Sequence, residues 1–248
     1  MRLARRIARH LFSAWSWAYL VGNTAVRVGL AHVLTPVIGS RRAFARAVRN
    51  WGRGNMRWGL HVCEVEPHPE IPAPSIVFSN HQHFFDITLV ASIVPQPLYF
   101  VARLEVDRVP LIGSVLRNGG HVYVARGAGS GNEDALGDAV ARLREGGRVL
   151  FFGEGTRSKT DEILRLRSGA LRLAARTGVP LVPLVIAGTR RTFPSGWWPI
   201  VPARMAAAFL PPRTVDATEA RSAAYREALR AEMGEALARL LPRTRSRL

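Results

Sequence analysis

The chain has 248 residues, 48% of them apolar, with 35 basic and 18 acidic side chains and a formal charge of +17. The apolar fraction excludes intrinsic disorder, and a single cysteine, Cys63, excludes a disulfide-stapled scaffold. The charge is lopsided: residues 1–63 hold eleven arginines and no carboxylate before Glu64, whereas the rest carries 24 basic and 18 acidic groups. Lys159 is the only lysine, so part of the arginine excess is compositional bias, but bias does not remove Asp and Glu. An acid-free basic block fits an anionic partner, either nucleic acid or a membrane surface.

The first segment favours the membrane. Between Arg2, Arg5, Arg6, Arg9 and the pair Arg41, Arg42 lie two uncharged runs, 11–26 and 28–40, separated by Arg27. A bilayer-spanning helix needs about 20 mostly apolar residues, so neither run spans alone. Joined, they would bury Arg27 in hydrocarbon at a cost on the order of several kcal/mol. Basic residues flank both ends, so charge bias names no translocated side. A helical hairpin lying in one leaflet, with both ends cytoplasmic, satisfies these constraints. Nucleic-acid binding would need basic side chains interleaved with exposed aromatics rather than a Trp/Leu/Val run, and no nucleic-acid partner is expected. A cleaved signal peptide fits poorly, because the acid-free pattern continues to residue 57; a tilted true span remains the nearest rival. Residues 1–57 are thus expected to be basic, apolar membrane-attachment helices and 58–248 an α/β domain.

From about residue 72, short β-rich runs alternate with helical patterns. Strands are predicted at Ser75–Ser79, 98–102, 121–125, Arg148–Phe152 and Leu181–Ala187. Asn132 can cap a helix whose first turn holds Glu133 and Asp134, whose apolar face is Leu136, Val140 and Leu143, and which ends at Gly146. A last helix starts near Thr218, with Tyr225, Leu229, Met233 and Leu237 at four-residue spacing and Pro242 as its stop. This alternation predicts an α/β fold: a largely parallel sheet flanked by helices, preceded by the membrane-associating hairpin. In such sheets the loops leaving the strands' carboxyl ends gather at one edge and form the site.

The chemistry-bearing residues fall on those loops. After the first strand comes Asn80-His81-Gln82-His83-Phe84-Phe85-Asp86. His81 in the loop and Asp86 at the next helix start can pair, which fixes the imidazole tautomer and leaves the other nitrogen to take a proton from a hydroxyl. After the fourth strand comes Gly153-Glu154-Gly155-Thr156-Arg157-Ser158, a turn whose amides, hydroxyls and guanidinium can converge on a phosphate, without the lysine and spacing of a nucleotide P-loop. Arg126 closes Gly120-His121-Val122-Tyr123-Val124-Ala125-Arg126.

The ordered set resembles the glycerolipid acyltransferase family, the 1-acyl-sn-glycerol-3-phosphate (lysophosphatidic acid) acyltransferases in particular. Its Asn-His-x-x-x-x-Asp block is matched by Asn80, His81 and Asp86, and its Gly-x-x-aromatic-aliphatic-x-Arg block by Gly120, Tyr123, Val124 and Arg126. Its Phe-Pro-Glu-Gly-Thr-Arg-Ser block is matched by Phe152, Glu154, Gly155, Thr156, Arg157 and Ser158, and its aliphatic-Pro run by Val179 through Leu184. The resemblance covers about residues 72–190. It implies that His81, held by Asp86, is the general base, and that Arg126, Glu154, Gly155, Thr156 and Arg157 bind the acceptor's glycerol phosphate. The implied reaction moves a fatty acyl group from an acyl-CoA or acyl carrier protein thioester to a lysophosphatidate-like acceptor, giving phosphatidate for phospholipid synthesis. No metal or other cofactor is needed, since the thioester is a co-substrate that is already activated. Partners are then membrane lipid, acceptor and acyl donor, with the protein membrane-associated and its site on the cytoplasmic face. A different lysolipid acceptor, or an acylated amino-acid lipid, keeps the same chemistry; a silent lipid-binding protein would not need His81, Asp86, Glu154 and Arg157 intact.

Several positions depart from the family pattern. His83 stands where serine is frequent and is a second candidate base or headgroup contact. Gly153 replaces the usual proline, which predicts a freer loop. Ala125 replaces a frequent aspartate, and Arg167 stands in for a lysine as a further phosphate contact. The cluster Phe193, Trp197 and Trp198 either touches lipid or packs on the sheet.

Overall fold

The computed structural model describes residues 2–68, 70–124, 133–193 and 198–246. Ala125, Arg126, Asn132 and Trp197 lie outside the described residues, so the expectations placed on them find no structural counterpart below.

Helix α1 (Arg2–Ile38) turns at Gly39 into α2 (Ser40–Trp58). A hairpin is present, but its bend is not at Arg27. Gly39 adopts φ 80°, a left-handed conformation open to glycine, whereas Arg27 is helical. The helix continues through its polar residues because they face α2. Asn23 Nδ2 donates to Trp51 O (3.2 Å) and Asn55 Oδ1 (3.0 Å), Trp51 Nε1 donates to Thr24 Oγ1 (2.9 Å), and Arg27 Nε donates to Asn23 Oδ1 (3.3 Å). What interrupts the apolar run in sequence is a seam between helices in space.

The α/β part follows: β1 (Val62–Val65), β2 (Ser75–Ser79), α3 (Phe85–Ile93), β3 (Leu98–Arg103), α4 (Ile112–Gly119), β4 (Val122–Val124), α5 (Glu133–Arg144) and β5 (Arg148–Phe152). Then come α6 (Gly169–Thr177), β6 (Leu181–Ala187), β7 (Ala203–Phe209), α7 (Ala217–Arg221), α8 (Ala223–Leu240) and β8 (Arg245–Ser246). The sheet order is β1-β7-β6-β2-β5-β3-β4, with β8 also on β7. Strands β6, β2, β5, β3 and β4 are mutually parallel, while β7 runs antiparallel to β6. β2 therefore lies centrally, with β5 on one side and β6 on the other.

All five expected strands are found at these positions within a residue or so. Three others, β1, β7 and β8, were not expected. Strand β7 reads Ala-Arg-Met-Ala-Ala-Ala-Phe, an alanine-rich run whose local preference is helical. Six of its seven residues are buried, and sheet pairing on both sides overrides that preference. The expected last helix is broken at Ser222, whose side chain accepts from Tyr225 N and caps α8; α8 stops at Leu240, ahead of Pro242.

Helices cover both faces. Leu143 of α5, Leu171 and Leu173 of α6, and Leu229, Met233 and Leu237 of α8 bury against one face. Phe85 and Leu89 of α3 with Val48 and Met56 of α2 bury against the other. The Cβ that Gly52 lacks would stand 2.9 Å from Ala91, so α2 lies directly on α3. Helix α2, with Trp17 of α1, is thus part of the packed α/β core.

Candidate active site

The site is built outward from β2. Its last residue leads into Asn80, whose side-chain amide mimics one more strand pair: Nδ2 donates to Ile186 O (2.9 Å) and Oδ1 accepts from Ile186 N (2.8 Å). This fixes where the chain leaves the sheet. His81 then sits at the sheet's carboxyl edge with its ring stacked on Phe152, centroids 3.9 Å apart and planes at 14°.

Asp86 in the first turn of α3 is fully buried and collects three donors on one oxygen. Oδ2 accepts from Gln82 N (2.6 Å), His83 N (2.8 Å) and His81 Nδ1 (2.7 Å). Oδ2 thus meets hydrogen-bond donors only. With Nδ1 carrying the proton, Nε2 of His81 keeps its lone pair, and Arg157 Nε approaches that nitrogen at 3.4 Å.

His83 is differently placed. Its Nδ1 accepts from Phe85 N (3.4 Å), and its ring lies on Phe193 with centroids 4.5 Å apart. Burial pushes this imidazole down to about 4, against the opposing pull of Asp86. It is neutral at physiological pH and lacks the Nδ1–carboxylate contact that orients His81.

The turn after β5 divides in two. Glu154 is 2% exposed, and both its oxygens are occupied: Oε1 accepts from His81 N (2.7 Å) and Oε2 from Leu164 N (2.8 Å). Burial raises its pKa, opposed by those two amide donors. With Ser158 N donating to His81 O (2.7 Å), this carboxylate braces the loop bearing the histidine. By contrast, Gly155, Thr156 and Arg157 are exposed and line the cavity, Gly155 in a left-handed turn (φ 67°). Gly153 owes its identity to close approach rather than to a freer loop: a Cβ there would fall 2.3 Å from Phe78 Cζ. Gly120 takes the left-handed cap of α4 (φ 71°), and Tyr123 Oη donates to Asp107 Oδ1 (2.6 Å), so these two block residues shape the scaffold.

A cavity of about 2130 Å³ opens over His81. Its apolar reach includes Phe78, Phe100, Val101, Val122 and Phe151, and its roof is the inner face of α1, with Trp17, Leu20, Thr24 and Arg27. The rim also carries Arg103, Lys159, Arg167, Arg190 and Arg191. The sequence reading gave no role to Arg190 and Arg191. Their signal was legible, because Thr189-Arg190-Arg191-Thr192 directly follows the strand β6 at the sheet edge where sites form. Phe193 packs inside against Trp17 and Phe85, whereas Trp198 is 43% exposed and donates from Nε1 to His10 Nδ1 (2.8 Å).

At the carboxyl edge of the parallel strands, then, a buried carboxylate orients a histidine whose free ring nitrogen meets an arginine and opens onto a cavity. The Acyltransferase family model matches residues 62–187, about half of the chain, and the chain belongs to that family. Among its relatives is a chloroplastic 1-acyl-sn-glycerol-3-phosphate acyltransferase of Brassica napus, 34% identical over 132 residues, 53% of this chain and 38% of that one. A 1-acyl-sn-glycerol-3-phosphate acyltransferase of Saccharomyces cerevisiae is 31% identical over 134 residues, 53% of this chain and 44% of the other. The aligned segments span less than half the length of these relatives. The crystal structure of the 1-acyl-sn-glycerophosphate acyltransferase PlsC from Thermotoga maritima superposes with a TM-score of 0.71 at 24% identity, covering 96% of this chain and 97% of that one. At that identity it shows the shared fold, the two N-terminal helices included in the covered length.

Proposed function

We propose that this chain transfers a fatty acyl group from a thioester to the free hydroxyl of 1-acyl-glycerol-3-phosphate, giving phosphatidate. The observation that carries the reading is His81, held through Nδ1 by buried Asp86 with Nε2 facing a cavity lined by Thr156 and Arg157. His81 Nε2 takes the hydroxyl proton as the oxygen attacks the thioester carbonyl; the C–S bond breaks and the proton passes to the departing thiolate. Asp86 stabilises the imidazolium formed between those steps. No enzyme nucleophile and no metal is required, because the thioester is already activated. Arg157, Thr156 and Arg167, with Arg126, are assigned to the acceptor phosphate. In the resting site Arg157 caps the lone pair of the base; an arriving phosphate draws the guanidinium away and frees Nε2 as the hydroxyl is delivered.

The lipid is met at a membrane surface. Arg6–Ile38 is long and apolar enough to cross a bilayer by length and composition. Yet Ser13, Ser16, Leu20, Asn23, Val28 and Ala31 are buried against the protein along most of that helix, which supports lying on a leaflet over crossing it. The outer face exposes Ile7, Leu11, Trp15, Val26, Leu30, Val33 and Val37, and α2 presents exposed Arg42, Arg46, Arg49, Arg53 and Arg57 at helical spacing. An apolar ridge beside a basic one suits the cytoplasmic, anionic face of a membrane. The test is thiol release from palmitoyl-CoA with a panel of lysolipids. Acceptor-dependent release with lysophosphatidate is the expected result; release without an acceptor, or only with phosphate-free acceptors, would overturn the proposal.

A further inference from the structure

The segment between β3 and α4 carries apolar surface that the proposed chemistry does not use. It forms a 3₁₀ turn (Leu104–Arg108) and then reverses at Pro110-Leu111. Leu104 is 55% exposed and Val109 42%, with Pro110 exposed beside them. The same segment is cavity wall, since Arg103, Val106, Pro110, Leu111 and Ile112 line it. It is firmly braced. Asp107 Oδ1 accepts from Tyr123 Oη (2.6 Å), and its carboxylate pairs with Arg117 (2.7 Å). A Cβ on Gly113 would fall 1.9 Å from the Asp107 carbonyl oxygen, so α4 starts in direct contact with the turn. Leu111 adopts φ 64°, with Ile112 N donating to Pro110 O (2.7 Å), a γ-turn that strains a residue other than glycine. Its side chain packs on the cluster of Val28, Ala31, Phe44 and Ala47 between α1 and α2, which offsets the strain and leaves Val109 and Pro110 on the surface.

That anchor also fixes where the segment lies. His32 Nε2 and Ser114 Oγ are 2.8 Å apart, so α4 abuts the second half of α1, whose outer face exposes Leu30, Val33 and Val37. Val21 of α1 likewise lines the cavity and is 59% exposed. Exposed apolar side chains thus border the cavity on two elements, α1 and this segment. Exposed Arg103 and Arg108 flank the apolar tips; of the two carboxylates here, Asp107 is already paired and Glu105 stands between those arginines in sequence. A long-chain acceptor is held in a bilayer by the apolar area it would expose on leaving. An opening edged by apolar surface spares it that exposure. Resting on the acyl-transfer and membrane-surface reading above, we propose that residues 104–110 are a second membrane contact. Leu104, Val109 and Pro110 sink into the leaflet that receives α1, and the acceptor passes sideways from lipid into the cavity. Arg103 and Arg108 meet anionic headgroups where the apolar tips end.

The test labels introduced cysteines in the full chain with an environment-sensitive fluorophore and adds phosphatidylcholine/phosphatidylglycerol vesicles carrying a nitroxide lipid. Cys63 does not compete, because burial pushes its thiol up to about 12. Leu104→Cys is the probe, Val33→Cys the reference on α1, and Glu227→Cys, exposed on α8 across the sheet, the control. Quenching at 104 should match that at 33 within about twofold and exceed that at 227 about threefold or more, as for a side chain below the headgroups. Quenching at 33 but not at 104 would overturn the second contact and leave α1 attached; quenching at neither would overturn the membrane reading with it. In Leu104→Asp/Val109→Asp, KM for vesicle-borne oleoyl lysophosphatidate should rise about tenfold, from the lost insertion of two apolar tips. KM for monomeric hexanoyl lysophosphatidate and the melting temperature should stay as they are. Equal rises for both acceptors, or a rise for neither, would overturn sideways delivery. So would a wild-type dimer that the double substitution dissolves, which would give the patch to a second copy of the chain. Wild-type protein that ignores both lysophosphatidates would overturn the acceptor reading alone, with the quenching still deciding the contact.

Discussion

Replacing Asp86 by asparagine isolates the charge that the proposed mechanism needs. The amide is isosteric and can place its oxygen where Oδ2 accepts from Gln82 N, His83 N and His81 Nδ1, so the loop geometry survives. What is lost is the negative charge facing the imidazolium. With Nδ1 and Oδ2 2.7 Å apart, the centres of the two delocalised charges are about 4 Å apart, which at an effective dielectric of about 20 gives about 4 kcal/mol. Asp86 is fully buried, so solvent does not screen the pair. At about 1.4 kcal/mol per decade, kcat should fall about a thousandfold, with KM for both substrates little changed. The assay is steady-state thiol release at saturating lysophosphatidate, alongside a thermal melt to show that the variant is folded. A loss under tenfold in a folded variant would refute the pairing as the source of basicity.

Four further outcomes follow from the same geometry. His83→Ala should leave the acid limb of the pH–rate profile in place, because burial already keeps that imidazole neutral above about pH 4; a displaced limb would return the base to His83. Gly153→Ala should cost about 1–3 kcal/mol in urea denaturation through its clash with Phe78, and Phe78→Leu in the same chain should recover most of it. Val33→Asp with Val37→Asp, on the exposed face of α1, should cut vesicle sedimentation at least tenfold without changing the melting temperature, since each buried valine contributes about 1.5–3 kcal/mol. Burial pushes His121 down to about 4 and Phe100 N donates to its Nδ1, so the folded state favours the neutral ring. The unfolded chain binds more protons between about pH 4 and 6.5, so this contribution is full above 6.5 and is lost as pH falls, up to about 3 kcal/mol. His121→Gln should flatten that part of the stability curve, measured by urea titrations at pH 7.5 and 5.

Much of the site's arrangement could be read before any coordinates. A five-residue spacing from His81 to Asp86 across a strand-to-helix turn lets the carboxylate fold back onto the imidazole, a weak signal alone that the resemblance to the acyltransferase blocks strengthens, and the structure has the two at 2.7 Å. Glu154 could not be read this way. Its sequence neighbours are glycines, a threonine and an arginine, which suggest a ligand cradle, and only the folded chain shows both oxygens held by the amides of His81 and Leu164. Gly153 presents the same lesson, since its constraint is the ring of Phe78 from a strand some 75 residues earlier.

The sequence by itself determined the alternation of strands and helices, the loops that carry chemistry, and the acid-free apolar start. Each of these depends on local composition or on spacing within one element. Tertiary structure alone decided that Arg27 and Asn23 form a seam with α2 rather than a break in α1, because a helix face acquires its meaning only from what packs on it. It also decided that an alanine-rich segment is a strand, since burial between two neighbours outweighs an intrinsic preference of less than 1 kcal/mol per residue. And it brought the turns after β5 and β6 to either side of His81, a juxtaposition set by the order of strands in the sheet, which no stretch of sequence encodes locally.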